Sequence, residues 1–231
     1  MPLEDFHIKQ LVLDLLKKPS ARDGQRLIGA SEIGNPCSYC LANRLLSKGG
    51  GSPNKYWMGA RIGTAIHKAL EEEAERADRK DYRFAILEGS RQEESIRLGY
   101  IEGYGTVKSK PDLVLVKDRH LIDYKTSTST KIKHYKLDGV PQQYVYQQQL
   151  YAWGLTQAGT PIDKISLAFI QRDGLTDNDV WVYSFDYDES VALHAWERLV
   201  SIWEWLQEGN DPESLPSDPS CYHCSRVIFR V

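Results

Sequence analysis

The sequence predicts a mixed α/β domain with a central sheet flanked by helices. Apolar residues recur at helical spacing near the start, around 56–77, around 140–159 and around 189–209, while short β-branched and aromatic runs fill much of 83–186. These segments follow one another as helices, an antiparallel run of strands, a helix, two strands and a helix, an order that builds helices onto a sheet. With 231 residues, 41% hydrophobic, the chain suffices for one well-buried domain and is short for two, so a single domain over 1–231 is expected.

Residues 4–17 place Phe6, Ile8, Leu11, Val12, Leu15 and Leu16 at helical spacing, with acids first and lysines last, which predicts an amphipathic helix packed on the domain. A second helix is expected over 38–47, followed by a flexible loop in KGGGSPN. YWMGARIGTAIHKALEEEAERA turns from a small, apolar face to a charged one, as a long helix leaving the core for solvent would. YRFAIL, EESIRLG, DLVLV and HLIDYK read as strands between Gly-rich or charged turns. VPQQYVYQQQLYAWGLTQAG reads as a helix stopped by Gly159, KISLAFIQR and DVWVYSFDY as strands, and ESVALHAWERLVSIWEWLQEG as a final helix. The Pro/Ser/Asp-rich NDPESLPSDPS reads as an irregular arm.

The first residues lack the basic, apolar and small-residue order of a secretory signal, and no apolar run reaches membrane-spanning length. A cytoplasmic protein with no membrane partner is expected. A net charge of -3 gives no global basic footprint, so any nucleic-acid contact must come from a local patch.

In HLIDYKT the strand period of two puts Leu121, Asp123 and Lys125 on one face and Ile122 and Tyr124 on the other. A turn over Lys117–His120 would set position 112 across from 125 and 114 across from 123, bringing Asp112 level with the lysine. Two acids and a lysine in one small area suit metal-assisted phosphodiester cleavage. Magnesium and manganese prefer carboxylate oxygens and activate water, and a lysine can orient that water or offset charge developing on phosphorus. The plainer reading makes both aspartates strand-end residues with Lys125 as their surface ion-pair partner.

Three further groups have paired readings. His67 is a metal ligand or a core histidine on a Gly/Ala-rich helix face. Gln147 and Tyr151, one turn apart, face a phosphate or a stacked base, or belong to an amphipathic helix that uses Tyr144, Tyr151 and Trp153 as core. STSTKIKHYK supplies hydroxyls with Lys131, Lys133, His134 and Lys136, either as phosphate contacts or as a solvated charged loop. Glu71 and Glu93 are possible outer carboxylates, although glutamates in such places are usually just solvated.

All four cysteines fall in two Cys-x-x-Cys pairs, Cys37 with Cys40 and Cys221 with Cys224. Each pair lets two thiolates grip one centre, and two pairs complete four-thiolate coordination. Joining them would clasp 30–48 to 208–231. A redox pair is disfavoured, because neither pair follows a strand and opens a helix.

Pro111-Asp112, an apolar strand and Asp123-Tyr124-Lys125 together resemble the signature of the PD-(D/E)XK nuclease superfamily. GTAIHKALE at 63–71 resembles the histidine-bearing helix of its RecB-like branch, and Gln147 to Tyr151 its Gln-x-x-x-Tyr motif. With the cysteines, the pattern over 30–226 resembles the CRISPR-associated RecB-like exonucleases, many of whose relatives are carried by bacteriophages. The resemblance implies a restriction-endonuclease-like core. It implies that His67, Asp112, Asp123 and the backbone carbonyl of Tyr124 hold Mn2+ or Mg2+, with Lys125 as the catalytic lysine and Asp112 and Asp123 beside it. It further implies a DNA exonuclease acting on single strands or duplex ends, with recombination, replication or CRISPR-integration proteins as partners. A DNA-binding or adaptor module that keeps the fold without catalysis is the alternative. In the resembled family a [4Fe-4S] cluster is usually held by one N-terminal and three C-terminal cysteines; the division here is two and two, which keeps Zn2+ in contention.

Overall fold

The structure, a computed structural model, describes residues 5–16, 27–46, 57–218 and 221. Four helices come first: α1 (Asp5–Leu16), the single-turn α2 (Ala30–Ile33), α3 (Ser38–Leu46) and α4 (Trp57–Arg76). Then come β1 (Arg91–Gln92), β2 (Ile96–Ile101), β3 (Gly105–Ser109), β4 (Leu113–Leu115) and β5 (His120–Ser127). The chain continues through α5 (Ser129–Asp138), α6 (Gln142–Gln157), β6 (Lys164–Gln171), β7 (Val180–Asp186) and α7 (Glu189–Gln207).

A mixed sheet in the order β1-β4-β5-β6-β7 forms the centre, and β2 and β3 make a separate two-stranded sheet. β5 and β6 run parallel and the other pairs antiparallel. A parallel neighbour needs a crossover, and α5 and α6 supply it. α6 lies in the main core, where Leu150, Ala152 and Leu155 pack with Leu121 of β5, Ile165 of β6, Leu199 and Trp203 of α7, and Ile28 and Ile33. Ile132 of α5 packs with Leu167 and Phe169 of β6, covering the same face further along.

Local chemistry explains the helix limits. Asp188 caps α7 by accepting the Ser190 N–H at 2.9 Å. Gly159 and Gly209, at φ 83° and 86°, turn the chain after α6 and α7. α4 carries charge pairs along its second half, Lys68 with Glu72 and Arg76 with Glu72 and Glu73, as expected of a helix running into solvent. Among the described residues, no helix is long and apolar enough to cross a membrane. On α1, Ile8 and Leu11 are exposed rather than packed on the domain.

Several sequence expectations need correction. YRFAIL is not a strand: the side chains of Asp78 and Asp81 accept the N–H groups of Lys80 and Arg83, which bends the chain into turns and a short 3-10 helix over Ala85–Leu87. The strand Gly105–Ser109 was not anticipated, and the strands do not form one antiparallel run. STSTKIKHYK is helical rather than a loop. Thr128 stands extended before α5, Ser129 donates its N–H and hydroxyl to Asp173 at 3.0 and 2.9 Å, and Ile132 is buried.

The β4–β5 register also differs. Leu113 pairs with Ile122 and Leu115 with His120, which makes the turn 116–119 and continues to Asp112 opposite Asp123, not opposite Lys125. The turn is displaced by one residue because Arg119 adopts φ 51°, and a one-residue displacement moves the pairing by two positions.

Candidate active site

β5 sends its side chains to two sides. Asp123 and Lys125 lie on the face that α6 covers, while Tyr124 and Thr126 look toward α4. Lys125 Nζ lies 2.7 Å from Asp123 Oδ2 and donates to Gln147 Oε1 at 3.1 Å. It also sits 5.0 Å from the centre of the Tyr144 ring, a cation over an aromatic face. A lysine only donates, so the Gln147 oxygen must face it, and the amide nitrogen then donates to the Tyr151 hydroxyl at 2.9 Å. Gln147 and Tyr151 thus share a face, as their spacing predicts. Both are buried, and their polar atoms support the lysine from within.

The Asp123 side chain is only 3% exposed. Burial pushes its carboxyl up from the ordinary value, and the charge of Asp112 adds to this; Lys125 opposes most strongly, with help from the Gln148 amide. Asp112, itself buried, bridges the two sides of the site. Its Oδ2 accepts the Tyr124 N–H at 2.8 Å, and its Oδ1 lies 3.2 Å from His67 Nδ1. Tyr124 is therefore seen at the site through its backbone N–H, its carbonyl lying on the strand between Asp123 and Lys125. Burial lowers the His67 pKa, but the hydrogen bond and charge of Asp112, with the charge of Asp123, outweigh it and leave the imidazole above its usual value.

His67 reaches this position because α4 crosses close to β5. A Cβ on Gly63, one turn before His67, would stand 3.1 Å from the Thr126 hydroxyl, so glycine permits the approach. His67 also meets the Tyr124 ring edge-on at 6.0 Å.

Ligand atoms of His67, Glu93 and Asp112 all lie within 4.8 Å of one another. This donor set, one imidazole nitrogen and carboxylate oxygens, fits a manganese- or magnesium-class ion. Glu93, a possible outer carboxylate in the sequence reading, is half-buried here. Its signal was a glutamate just upstream of the Pro-Asp strand, easily taken for a solvated strand end. Glu71 lies one turn beyond His67, half-buried. Lys131 and Lys133 stand exposed on α5, the helix that directly follows β5.

A second group of donor atoms gathers at the start of α3. Ligand atoms of Cys37, Cys40 and Cys221 also fall within 4.8 Å of one another, with Cys40 Sγ and Cys221 Sγ 3.6 Å apart. Cys224 lies outside the described residues. Metal–sulfur bonds of about 2.3 Å in a tetrahedron put sulfurs roughly 3.8 Å apart, so this spacing fits a single tetrahedral ion. Around a four-iron cluster each thiolate binds a different iron, and the three sulfurs would have to spread. The approach to Cys37 is tied down by Arg198 of α7, which donates to Ile33 O, Asn35 O and Pro36 O at 2.7, 2.6 and 3.0 Å. Asn35 Oδ1 in turn accepts the Cys37 N–H at 3.0 Å.

Gly34 seats this segment on α6. A Cβ there would stand 2.5 Å from Gln143 O and 3.3 Å from Gln147 N. The backbone leading to the cysteines therefore touches the turn of α6 that carries the lysine's partner.

Three solved structures share the architecture. The alkaline exonuclease of Laribacter hongkongensis is 15% identical, with 90% of this chain and 96% of that one covered and a TM-score of 0.54. A protein that carries the name exonuclease, from Eubacterium rectale, is 11% identical over 98% of this chain and 93% of that one, with a TM-score of 0.51. The protein SSO0001 is 17% identical over 97% and 94%, with a TM-score of 0.50. The fold is shared with exonucleases. No protein-family model matches the chain, and no curated protein matches it.

Proposed function

We propose that this protein is a divalent-metal-dependent DNA exonuclease of the RecB-like branch of the PD-(D/E)XK superfamily, acting on single strands or duplex ends. One observation carries the reading: Asp112 joins His67 on one side and the catalytic strand on the other, beside the Asp123–Lys125 pair, on a fold shared with exonucleases. His67, Asp112 and Asp123 would hold Mn2+ or Mg2+, which when bound supplies Lewis acidity toward the phosphate and a more acidic water.

The chain's own groups do the rest. Lys125 presents its ammonium where charge develops on the phosphoryl oxygens, or holds the attacking water. Gln147 and the Tyr144 ring fix its position, and little reorganisation is then needed at the moment of reaction. The Tyr124 N–H keeps the Asp112 carboxylate turned toward His67. Lys131 and Lys133, exposed on α5, would meet the backbone of the substrate strand without reading its sequence. The cysteine centre is a structural metal site in this proposal. A [4Fe-4S] cluster follows from the family resemblance and Zn2+ from the spacing of the three thiols.

The test is incubation of end-labelled single- and double-stranded DNA with Mn2+, Mg2+ or chelator, beside Lys125→Ala. Metal-dependent release of label by the wild type alone is the expected result. Equal cleavage by the variant would remove Lys125 from the site. Absence of cleavage by folded, metal-loaded protein would leave a binding module.

A further inference from the structure

α4 passes β5 with glycine at positions 59 and 63, one turn apart, and His67 a turn further on, all on one face. Each of the three faces a polar group. A Cβ on Gly63 would stand 3.1 Å from the Thr126 hydroxyl and one on Gly59 only 2.5 Å from Arg172 Nη1, while His67 meets Asp112. Arg172 directly follows β6. Ala168 pairs with Tyr124 and Ile170 with Thr126, so two residues past Ile170 the side chain again turns to the α4 side of the sheet. Its backbone N–H donates to Ser127 O at 2.9 Å, which fixes it at the end of β5.

The Arg172 side chain is half-buried, and its Nε is sealed from solvent without a hydrogen-bond partner. Among the described residues no carboxylate pairs with the guanidinium. Asp173, its neighbour in the chain, gives both oxygens to Ser129. A partly desolvated cation without a counter-charge is costly, and arginines in such places are normally paired. The charge also reaches the lysine's pocket: burial pushes the Tyr144 hydroxyl up, and Arg172 acts against it.

We propose that Arg172 binds a backbone phosphate of the DNA strand in the seam between α4 and the end of β6. This rests on the nuclease reading and names one of its substrate contacts. Gly59 and His67 are eight residues apart on α4, about 12 Å along the helix, or roughly three to four nucleotides of a strand rising about 3.4 Å per nucleotide. The bound phosphate thus lies a few nucleotides from the metal, with the Thr126 hydroxyl between them. A planar guanidinium fork suits two phosphate oxygens, and the wall of α4 holds it in place before the strand arrives. Lys131 and Lys133, by contrast, stand in solvent.

The experiment measures binding of a single-stranded oligonucleotide to the full chain over a range of salt without added divalent metal, beside single-turnover cleavage in Mn2+ and the melting temperature. Wild type, Arg172→Gln, Arg172→Lys and Arg119→Gln are compared, each also with oligonucleotides in which one phosphate at a time is a neutral methylphosphonate. Arg119 serves as the control, in an exposed pair with Asp163 at the opposite end of β5. Arg172→Gln should bind about tenfold more weakly and lose about one phosphate contact from the salt slope. One neutral linkage should weaken the wild type and leave Arg172→Gln indifferent. Arg172→Lys should keep the slope and show a smaller penalty at that linkage, and Arg119→Gln should match the wild type throughout.

An arginine that only buttresses α4 predicts a lower melting temperature with salt slope and linkage pattern unchanged, and that result overturns the assignment while leaving the nuclease reading intact. Should Arg172→Gln fail to fold, Arg172→Lys decides, because an undiminished penalty at every linkage overturns the assignment equally. A wild type that neither binds nor cleaves DNA overturns both readings.

Discussion

The Lys125 ammonium and the Asp123 carboxylate, two residues apart on one face of β5, meet at 2.7 Å in a buried setting against α6. Neither would be at home there alone. Burial raises the Asp123 pKa and Lys125 offsets part of that burial cost, while Lys125 is aimed because Asp123 and Gln147 hold it from two sides.

Replacing Lys125 with methionine should therefore lower the rate of DNA cleavage by at least about a hundredfold while leaving Mn2+ binding largely intact. Arginine should not rescue, because a planar guanidinium cannot reproduce a compact ammonium wedged among Asp123, Gln147 and Tyr144. Single-turnover rates at saturating metal read this directly.

Gln147→Leu removes the lysine's acceptor and leaves the buried Tyr151 hydroxyl without its donor, so stability should fall by about 1–3 kcal/mol. Adding Tyr151→Phe should recover much of that loss, because both ends of the bond are then gone. The cleavage rate should stay low, since nothing has been returned to Lys125. Denaturant melts and rates measured on the same three proteins separate the two effects.

Metal-induced stabilisation should grow with pH. Asp123 and His67 both have pKa values raised in the folded, metal-free protein. Groups of this kind stabilise the fold most fully below their unfolded values, near 3.8 and 6.5, and that contribution is lost as pH rises through the folded values. A dication displaces those protons and supplies the missing positive charge. The increase in Tm on adding Mn2+ should thus be larger at pH 8 than at pH 5.5; an equal increase at both would mean the ion binds elsewhere.

Cys221→Ser should reduce the metal content of the cysteine centre and lower stability by about 3 kcal/mol, a Tm change of roughly 6–12 °C for a chain of this size. Elemental analysis of the same preparations tells zinc from iron. Lys125→Met should retain the wild-type metal content in that centre.

Gly34→Ala should destabilise by about 1–3 kcal/mol, because its Cβ would press on the α6 backbone at Gln143. The cleavage rate should fall as well, through the neighbouring Gln147. A variant that melts early yet cleaves at the wild-type rate would show that this contact supports only the fold.

Much of this arrangement was legible in the sequence. Helical spacing located α4 and α6 closely, and the strand period put Asp123 and Lys125 on one face. The one-turn spacing of Gln147 and Tyr151 placed them together. What failed was decided by backbone details that side-chain patterns do not carry. Arg119 in a left-handed turn moved the β4–β5 register by two residues and set Asp112 opposite Asp123. Glu93 looked like a solvated glutamate because nothing in QEES announces a positive φ. Residues 129–138 have no clear apolar stripe, and the helix there is settled by one buried isoleucine and by Asp173, far along the chain.

The meeting of Cys40 with Cys221, 181 residues later, also sets a timetable for the protein's birth. On a ribosome the first cysteine pair emerges long before its partner. β5 and α6 are complete while the segment that Gly34 seats on α6 still lacks its anchor. Contacts of such sequence separation form slowly, and during that interval the early thiols are open to oxidation or capture by the wrong ion. On the proposed reading of the cysteine group as a metal site, cells starved of that metal should consequently accumulate chains that were made in full but fail to mature, and the yield of folded protein should follow metal supply during synthesis rather than metal added afterwards.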